Sequence, residues 1–109
     1  MQVADKTDGN LIFAADLGGT HLRAAIVDQK GQIHSRFKQN TPQVEDANAI
    51  VDAIVAAVHE FRKAAEISAV SLVVPGTVNV EEGSVVKAPN LPYLDGFRLA
   101  AAVLRSRGP

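Results

Sequence analysis

The chain has 109 residues, the size of one ordinary domain and enough to bury a core. Its 11 lysines and arginines nearly balance 12 aspartates and glutamates, and a net charge of −1 excludes the broad basic surface that a nucleic-acid partner requires. There is no cysteine for disulfide or thiolate chemistry, no apolar run near the roughly 20 residues of a membrane span and no signal-peptide pattern in MQVADKTDGN, so a cytoplasmic protein without a membrane partner is expected.

Residues 1–10 are polar and read as an N-terminal tail, which leaves residues 11–109 as the folded unit. LIFAA, bounded by Asn10 and Asp16, predicts a buried strand over 11–16. After Gly18 and Gly19, the residues Leu22, Ala24 and Ile26 alternate with Arg23, Ala25 and Val27 as far as the turn cluster at 28–31, predicting a second, antiparallel strand. A third strand over 32–39 sets Ile33, Ser35 and Phe37 on a dry face against Gln32, His34, Arg36 and Lys38 on a wet one.

Thr41 and Pro42 offer helix-start chemistry, with Glu45 and Asp46 placed for the positive helix end. From there to about Glu66, the residues Ile50, Ile54, Ala57, Val58 and Phe61 recur at helical spacing on one apolar face. AVSLVVP, residues 69–75, is a continuous apolar run and predicts a strand covered on both faces, parallel to the first. Residues 76–95 are turn-rich and predict a small β-ribbon, with Glu81 and Glu82 at its exposed tip, followed by the shaped loop PNLPYLDG. A second helix follows Gly96, with Phe97, Ala100, Ala101 and Leu104 on one face and Gly108 with Pro109 as its stop. The expected fold is therefore α/β with a mixed sheet, in the order β-β-β-α-β-(β-ribbon)-α, truncated where another parallel strand should follow.

The stretch AADLGGTHLRAAIVD ends a buried strand on a carboxylate and turns on two glycines. Neither Gly18 nor Gly19 has a Cβ, so the backbone there is free to take positive φ and its N–H groups can approach an anion closely; a phosphate is the natural guest. Asp16 would repel that phosphate unless a Mg²⁺ ion, held through its hydration shell, stood between them. Thr20 adds a hydroxyl and an N–H at the same rim. A tight hairpin whose Asp16 bonds only its own turn fits the residue types equally well. A P-loop is excluded, because it needs a lysine followed by Ser or Thr at a helix start, and so is a dinucleotide fingerprint, which needs three spaced glycines opening a helix.

"DLGGTHLRAAIVD" resembles the first phosphate motif of the actin-like, sugar-kinase superfamily, and "VVPGTVNVEEGSVVKAPNLPYLDG" resembles the stretch that follows in the ROK family of bacterial sugar kinases and repressors, its glucokinases above all. The two motifs stand in the family's order and spacing, and the match runs from residue 11 to about 107. The resemblance implies a ribonuclease H-like, actin-type ATPase lobe and ATP-dependent transfer of a phosphoryl group to a hexose hydroxyl, with glucose the expected sugar. It implies that Asp16 lies near Mg²⁺ through water, that Leu17, Gly18, Gly19, Thr20 and His21 surround the nucleotide phosphates, and that Pro75, Gly76, Thr77 and Asn90 border the sugar.

In the family the catalytic base is an aspartate of an Asn-Asp pair beyond the PNL motif and its helix. Its zinc-binding His and Cys cluster and its adenine-binding half lie later still. Residues 1–109 are therefore expected to be an N-terminal lobe without activity of its own. Asp28, Asp46, Asp52 and Asp95 stand in no position that the family motif supports. His34 and His59 lack paired zinc-ligand spacing and read as solvated, His21 stands where the family often carries lysine, and Asn79 where many relatives have aspartate. Three alternatives accompany this reading: a sugar-binding transcriptional regulator, disfavoured because only ten residues precede Leu11, an N-acylhexosamine kinase, and polyphosphate as donor. An open sheet edge and an uncovered helix face predict a homo-oligomer.

Overall fold

In the computed structural model, which describes residues 2–4, 11–63 and 66–106, a five-stranded sheet contains β1 (Gln2–Ala4), β2 (Leu11–Leu17), β3 (His21–Val27), β4 (Ile33–Asn40) and β5 (Ile67–Val73). Their spatial order is β1-β5-β2-β3-β4. The strands β2, β3 and β4 form the expected antiparallel meander, and β5 returns parallel to β2 after helix α1 (Ala47–Arg62), so the sheet is mixed.

Alternation decides which side is buried. Phe13, Ala15 and Leu17 of β2, Leu22, Ala24 and Ile26 of β3, and Val70 and Leu72 of β5 share one core with Ile50, Val51, Ile54, Val55, Ala57 and Val58 of α1. The Phe61 ring meets Phe13 edge-on at 5.7 Å and Phe37 at 5.9 Å, tying α1 across β2 and β4. A ribbon of β6 (Thr77–Asn79) and β7 (Ser84–Lys87), a 3₁₀ turn at Pro92–Leu94 and helix α2 (Leu99–Ser106) complete the described chain. No helix among the described residues is long and apolar enough to cross a membrane.

Several details depart from the sequence expectations. Gln2–Ala4, part of the expected tail, pairs antiparallel with β5 and so covers its outer edge; residues 5–10 lie outside the described residues. Helix α1 starts at Ala47 with Asp46 as its cap, the carboxylate accepting from the Asn48 N–H at 3.0 Å, so Thr41 and Pro42 are not its start. The last described helical residue is Arg62, and residues 64 and 65 lie outside the described residues. Strand β5 is covered on one face only: Val70 and Leu72 are buried, whereas Val73 is 59% exposed, because both helices share one layer. The dry face expected of β4 comes down to Phe37, since this edge strand overhangs the core.

Helix α2 buries Leu99, Ala102 and Val103 and leaves Leu104 exposed, a different face from the one expected. Gly96 and Phe97 exchange main-chain bonds with Val85, so the helix begins two residues later and its buried stripe is set by Leu99. The expected stop at Gly108 and Pro109 lies outside the described residues. The tip of the ribbon is as expected, with Glu81 and Glu82 exposed.

The β3–β4 turn is organised by Asp28. Its Oδ1 accepts from the N–H groups of Lys30 and Gln32, both at 2.9 Å, and its Oδ2 lies 2.8 Å from Nε2 of His34, which is exposed as expected. The His34 bond foremost, then the main-chain bonds, hold the Asp28 carboxyl below its ordinary value of 3.8. A depressed carboxyl stabilises the folded turn above its unfolded value, and that contribution is lost as pH falls through the folded value. Amide exchange at Lys30 and Gln32, corrected for intrinsic rates, is therefore expected to stay protected down to about pH 4 and to lose protection below it. Asp28→Ala should show the unprotected level at every pH; equal protection in the variant would refute the assignment.

Candidate functional site

Parallel strands end side by side. Asp16 of β2 stands in register with Val73 of β5, so the glycine turn that follows β2 and the Pro75, Gly76 and Thr77 segment that follows β5 leave the sheet at the same end. Carboxyl ends of parallel strands are where open α/β sheets hold ligands. The loop after β7 arrives there too: a Cβ on Gly19 would lie 3.2 Å from Asn90 Cβ and 3.4 Å from the Asn90 carbonyl oxygen. Both sequence motifs thus meet, with Gly76, Thr77 and Asn90 exposed and Pro75 half-buried. Beside the contact lies a cleft of about 180 Å³ walled by Gly19, Gln43, Glu45, Asn90 and Tyr93. Burial, reinforced by the nearby Glu45 charge, raises the Tyr93 hydroxyl pKa.

The turn itself is built differently from expectation. Among the described residues the glycines with positive φ are Gly31, Gly76, Gly83 and Gly96, so Gly18 and Gly19 do not use the freedom anticipated for them. What they need is the absence of bulk: a Cβ on Gly18 would sit 3.0 Å from the His21 carbonyl oxygen, and Gly19 has the Asn90 approach. Gly18 N–H donates to that His21 oxygen at 3.0 Å. The Gly18 carbonyl accepts from Thr41 Oγ1 at 2.6 Å, the Thr20 carbonyl accepts from Thr41 N–H at 2.9 Å, and Gln43 Nε2 reaches the Gly19 carbonyl at 3.5 Å. Among the described residues the N–H groups of Gly19 and Thr20 have no acceptor.

Asp16 is exposed on the sheet face opposite Phe13, Ala15 and Leu17, and its carboxylate has no hydrogen-bond or ion-pair partner among the described residues. Three other aspartates behave differently. Asp28 and Asp46 capture main-chain N–H groups nearby, and Asp95 Oδ1 accepts from Ala88 N–H at 2.9 Å, tying its turn to the end of β7. Asp16 bonding only its own turn, the hairpin alternative, is not what the structure contains. Arg23 is its cross-strand neighbour in β3. Among the described residues no three His, Cys, Asp or Glu side chains converge, so a Mg²⁺ at Asp16 would draw its remaining ligands from water and phosphate, which is that ion's ordinary preference.

Of the other expected site residues, Leu17 is 1% exposed and sits in the core, leaving only its main chain to the site. His21 is half-buried at the start of β3. Asn79 Oδ1 accepts from Glu82 N–H at 3.1 Å, so it caps the ribbon turn. Thr41, Gln43, Glu45 and Tyr93 were not anticipated here. A signal for Thr41 did exist, because Asp46 is the better helix cap and leaves the threonine without that role.

The ROK family profile matches residues 12–106. The chain belongs to the ROK family. Over 83 residues this ROK chain is 41% identical to a glucokinase of Streptomyces coelicolor, a match covering 76% of the chain and 26% of that relative. It therefore spans about a quarter of the length of these curated glucokinase relatives. The crystal structure of a ROK family glucokinase from Streptomyces griseus, in complex with glucose and AMPPNP, superposes with a TM-score of 0.79 and 35% identity, covering 88% of this chain and 30% of that one. A ROK family transcriptional regulator, a homolog of the E. coli MLC protein, superposes at 0.76 with 18% identity, covering 91% of this chain and 26% of its own, and shows the shared fold alone. The ROK lobe thus has the α/β, actin-type ATPase architecture that its motifs implied.

Proposed function

We propose that this lobe belongs to an ATP-dependent hexose kinase of the glucokinase type. Asp16, Gly18, Gly19 and Thr20 take the nucleotide phosphates, with His21 at the rim, while Pro75, Gly76, Thr77 and Asn90 form one wall of the sugar site. The observation that carries the reading is the partnerless Asp16 carboxylate at a strand end, beside two main-chain N–H groups without acceptors.

Phosphoryl transfer asks a protein mainly for positioning and charge stabilisation. Here the main-chain donors of Gly19 and Thr20 would orient phosphate oxygens, and Asp16 would hold a hydrated Mg²⁺ against them. When bound, that ion supplies neutralisation of the charge on the transferring phosphoryl group. The close approach of Asn90 to Gly19 sets the proposed sugar wall beside the proposed phosphate turn. The group that accepts the sugar hydroxyl's proton is proposed to lie outside residues 1–109. The kinase reading is favoured over the regulator because the glucokinase likeness extends to sequence, at 41% identity, whereas the regulator's stops at the fold.

A test is to join this lobe to the remainder of the Streptomyces coelicolor glucokinase and follow ADP release with glucose and Mg·ATP. Turnover in the ordinary enzyme range of about 1 to 10³ per second is expected. A folded chimera that binds neither nucleotide nor glucose would refute the proposal, and N-acetylmannosamine and polyphosphate run in parallel separate the alternative acceptor and donor.

A further inference from the structure

Three successive carbonyls of the glycine turn are engaged from one side by one short segment. Thr41 Oγ1 takes Gly18 O at 2.6 Å, Gln43 Nε2 takes Gly19 O at 3.5 Å, and Thr41 N–H takes Thr20 O at 2.9 Å. The segment is itself anchored, since Gln43 Nε2 also donates to Thr41 O at 2.9 Å and Thr41 is 1% exposed.

An ordinary two-residue hairpin closes with two reciprocal bonds across its ends. Here Gly18 N–H donates to His21 O, but the returning bond is missing, because Gly18 O has been drawn to Thr41. A turn serving only to connect β2 and β3 has no need of that diversion. Its effect follows from peptide geometry. In a planar trans peptide the C=O and N–H point in opposite directions, and no cis bond occurs among the described residues. Fixing Gly18 O toward Thr41 therefore aims Gly19 N–H away from it, and fixing Gly19 O toward Gln43 aims Thr20 N–H away likewise. Both lack an acceptor among the described residues.

We propose that Thr41, assisted by Gln43, is the positioning residue of an anion cradle: by holding the turn's carbonyls on one side, it presents the N–H groups of Gly19 and Thr20 together, on the other, to the oxygens of a condensed phosphate. The proposal rests on the phosphate reading above and adds the device that preorganises it. Oriented amides that need not rearrange when the anion arrives bind it more tightly than amides on a mobile loop.

Titration of the ¹⁵N-labelled 109-residue chain with Mg·tripolyphosphate, followed at the amide signals of Gly19 and Thr20, tests it. The unaltered chain should give saturable shifts at both. Thr41→Val, which keeps the shape and loses the donor, should weaken the affinity about tenfold; Thr41→Ser should restore it to within about threefold, and Gln43→Ala should lower it by about two- to threefold. A folded Thr41→Val chain that titrates like the unaltered one overturns the brace and leaves the phosphate reading standing. Saturable shifts confined to other residues of the unaltered chain overturn the phosphate reading itself, and the brace with it. Should Thr41→Val fail to fold, Gln43→Ala decides, because its side chain is exposed: unchanged affinity there overturns the proposal.

Discussion

Asp16→Ala in the glucokinase chimera is expected to lower kcat by about 10²- to 10³-fold and to leave the unfolding free energy within about 0.5 kcal/mol of the parent. The two effects separate because of what Asp16 does not touch. Its carboxylate is exposed and has no partner among the described residues, so its removal breaks no contact within the described fold. The whole loss should fall on the step that needs a cation beside the transferring phosphoryl group. A bare carboxylate repels phosphate, so metal-free ATP should bind the variant as well as the parent or better, while Mg·ATP should bind it worse. Asp16→Asn should follow Asp16→Ala in both respects, since charge rather than volume is the variable. Steady-state kinetics across a Mg²⁺ series, with a thermal melt of each protein, measures all of these. Turnover preserved alongside a lowered melting temperature would make Asp16 a structural residue and remove the basis of the phosphate reading.

Why the carboxylate at the end of β2 was legible from sequence while the Thr41 segment beside it was not is a question of range. A strand ending on a carboxylate before two glycines is a local pattern, and a local pattern is visible in one stretch of chain. Periodicity gave α1 and β3 because each has a single face to bury, and the short apolar run LIFAA gave β2. It failed at β5, whose unbroken apolar run reads as doubly covered although Val73 is open, and at α2, whose register is set by the main-chain bonds of Gly96 and Phe97 with Val85. It also missed Gln2–Ala4, which is held in the sheet by main-chain pairing with β5. The brace on the glycine turn is of the same kind: Thr41 is 23 residues from Gly18, and a Thr-Pro pair followed by acids looks locally like the start of a helix. Glycine conformation was misplaced for a related reason. The positive φ foreseen at Gly18 and Gly19 occurs at Gly76, where the next strand pair must pass close by.

That close passage makes Gly76→Ala the second substitution of large expected effect, acting on stability. Gly76 has φ +145°, a conformation an alanine adopts only under strain, and its missing Cβ would collide with the Lys87 carbonyl oxygen and stand 3.0 Å from Ala88 Cα. Neither obstacle is a side chain that can swing aside. Lys87 ends β7, which is paired to β6, and Ala88 is 1% exposed with its N–H held by Asp95. Strain and steric overlap are each worth about 1–3 kcal/mol, so a loss of about 3 kcal/mol or more is expected. For a domain of this size that corresponds to roughly 12–24 °C in melting temperature. Gly31→Ala separates the two causes, because Gly31 also has positive φ, +83°, but nothing within 4 Å of its missing Cβ. It should cost only about 1–2 kcal/mol, the price of left-handed backbone alone. If thermal melts place the two variants at the same stability, close approach of main chain to main chain is not what holds the ribbon against the end of β5. If Gly76→Ala is the lower, as expected, the same displacement should carry the loop after β7 away from the glycine turn. Broadening or shifting of the Gly19 and Asn90 amide signals in Gly76→Ala, but not in Gly31→Ala, would show that the Asn90 loop and the glycine turn are aligned by a glycine outside their contact.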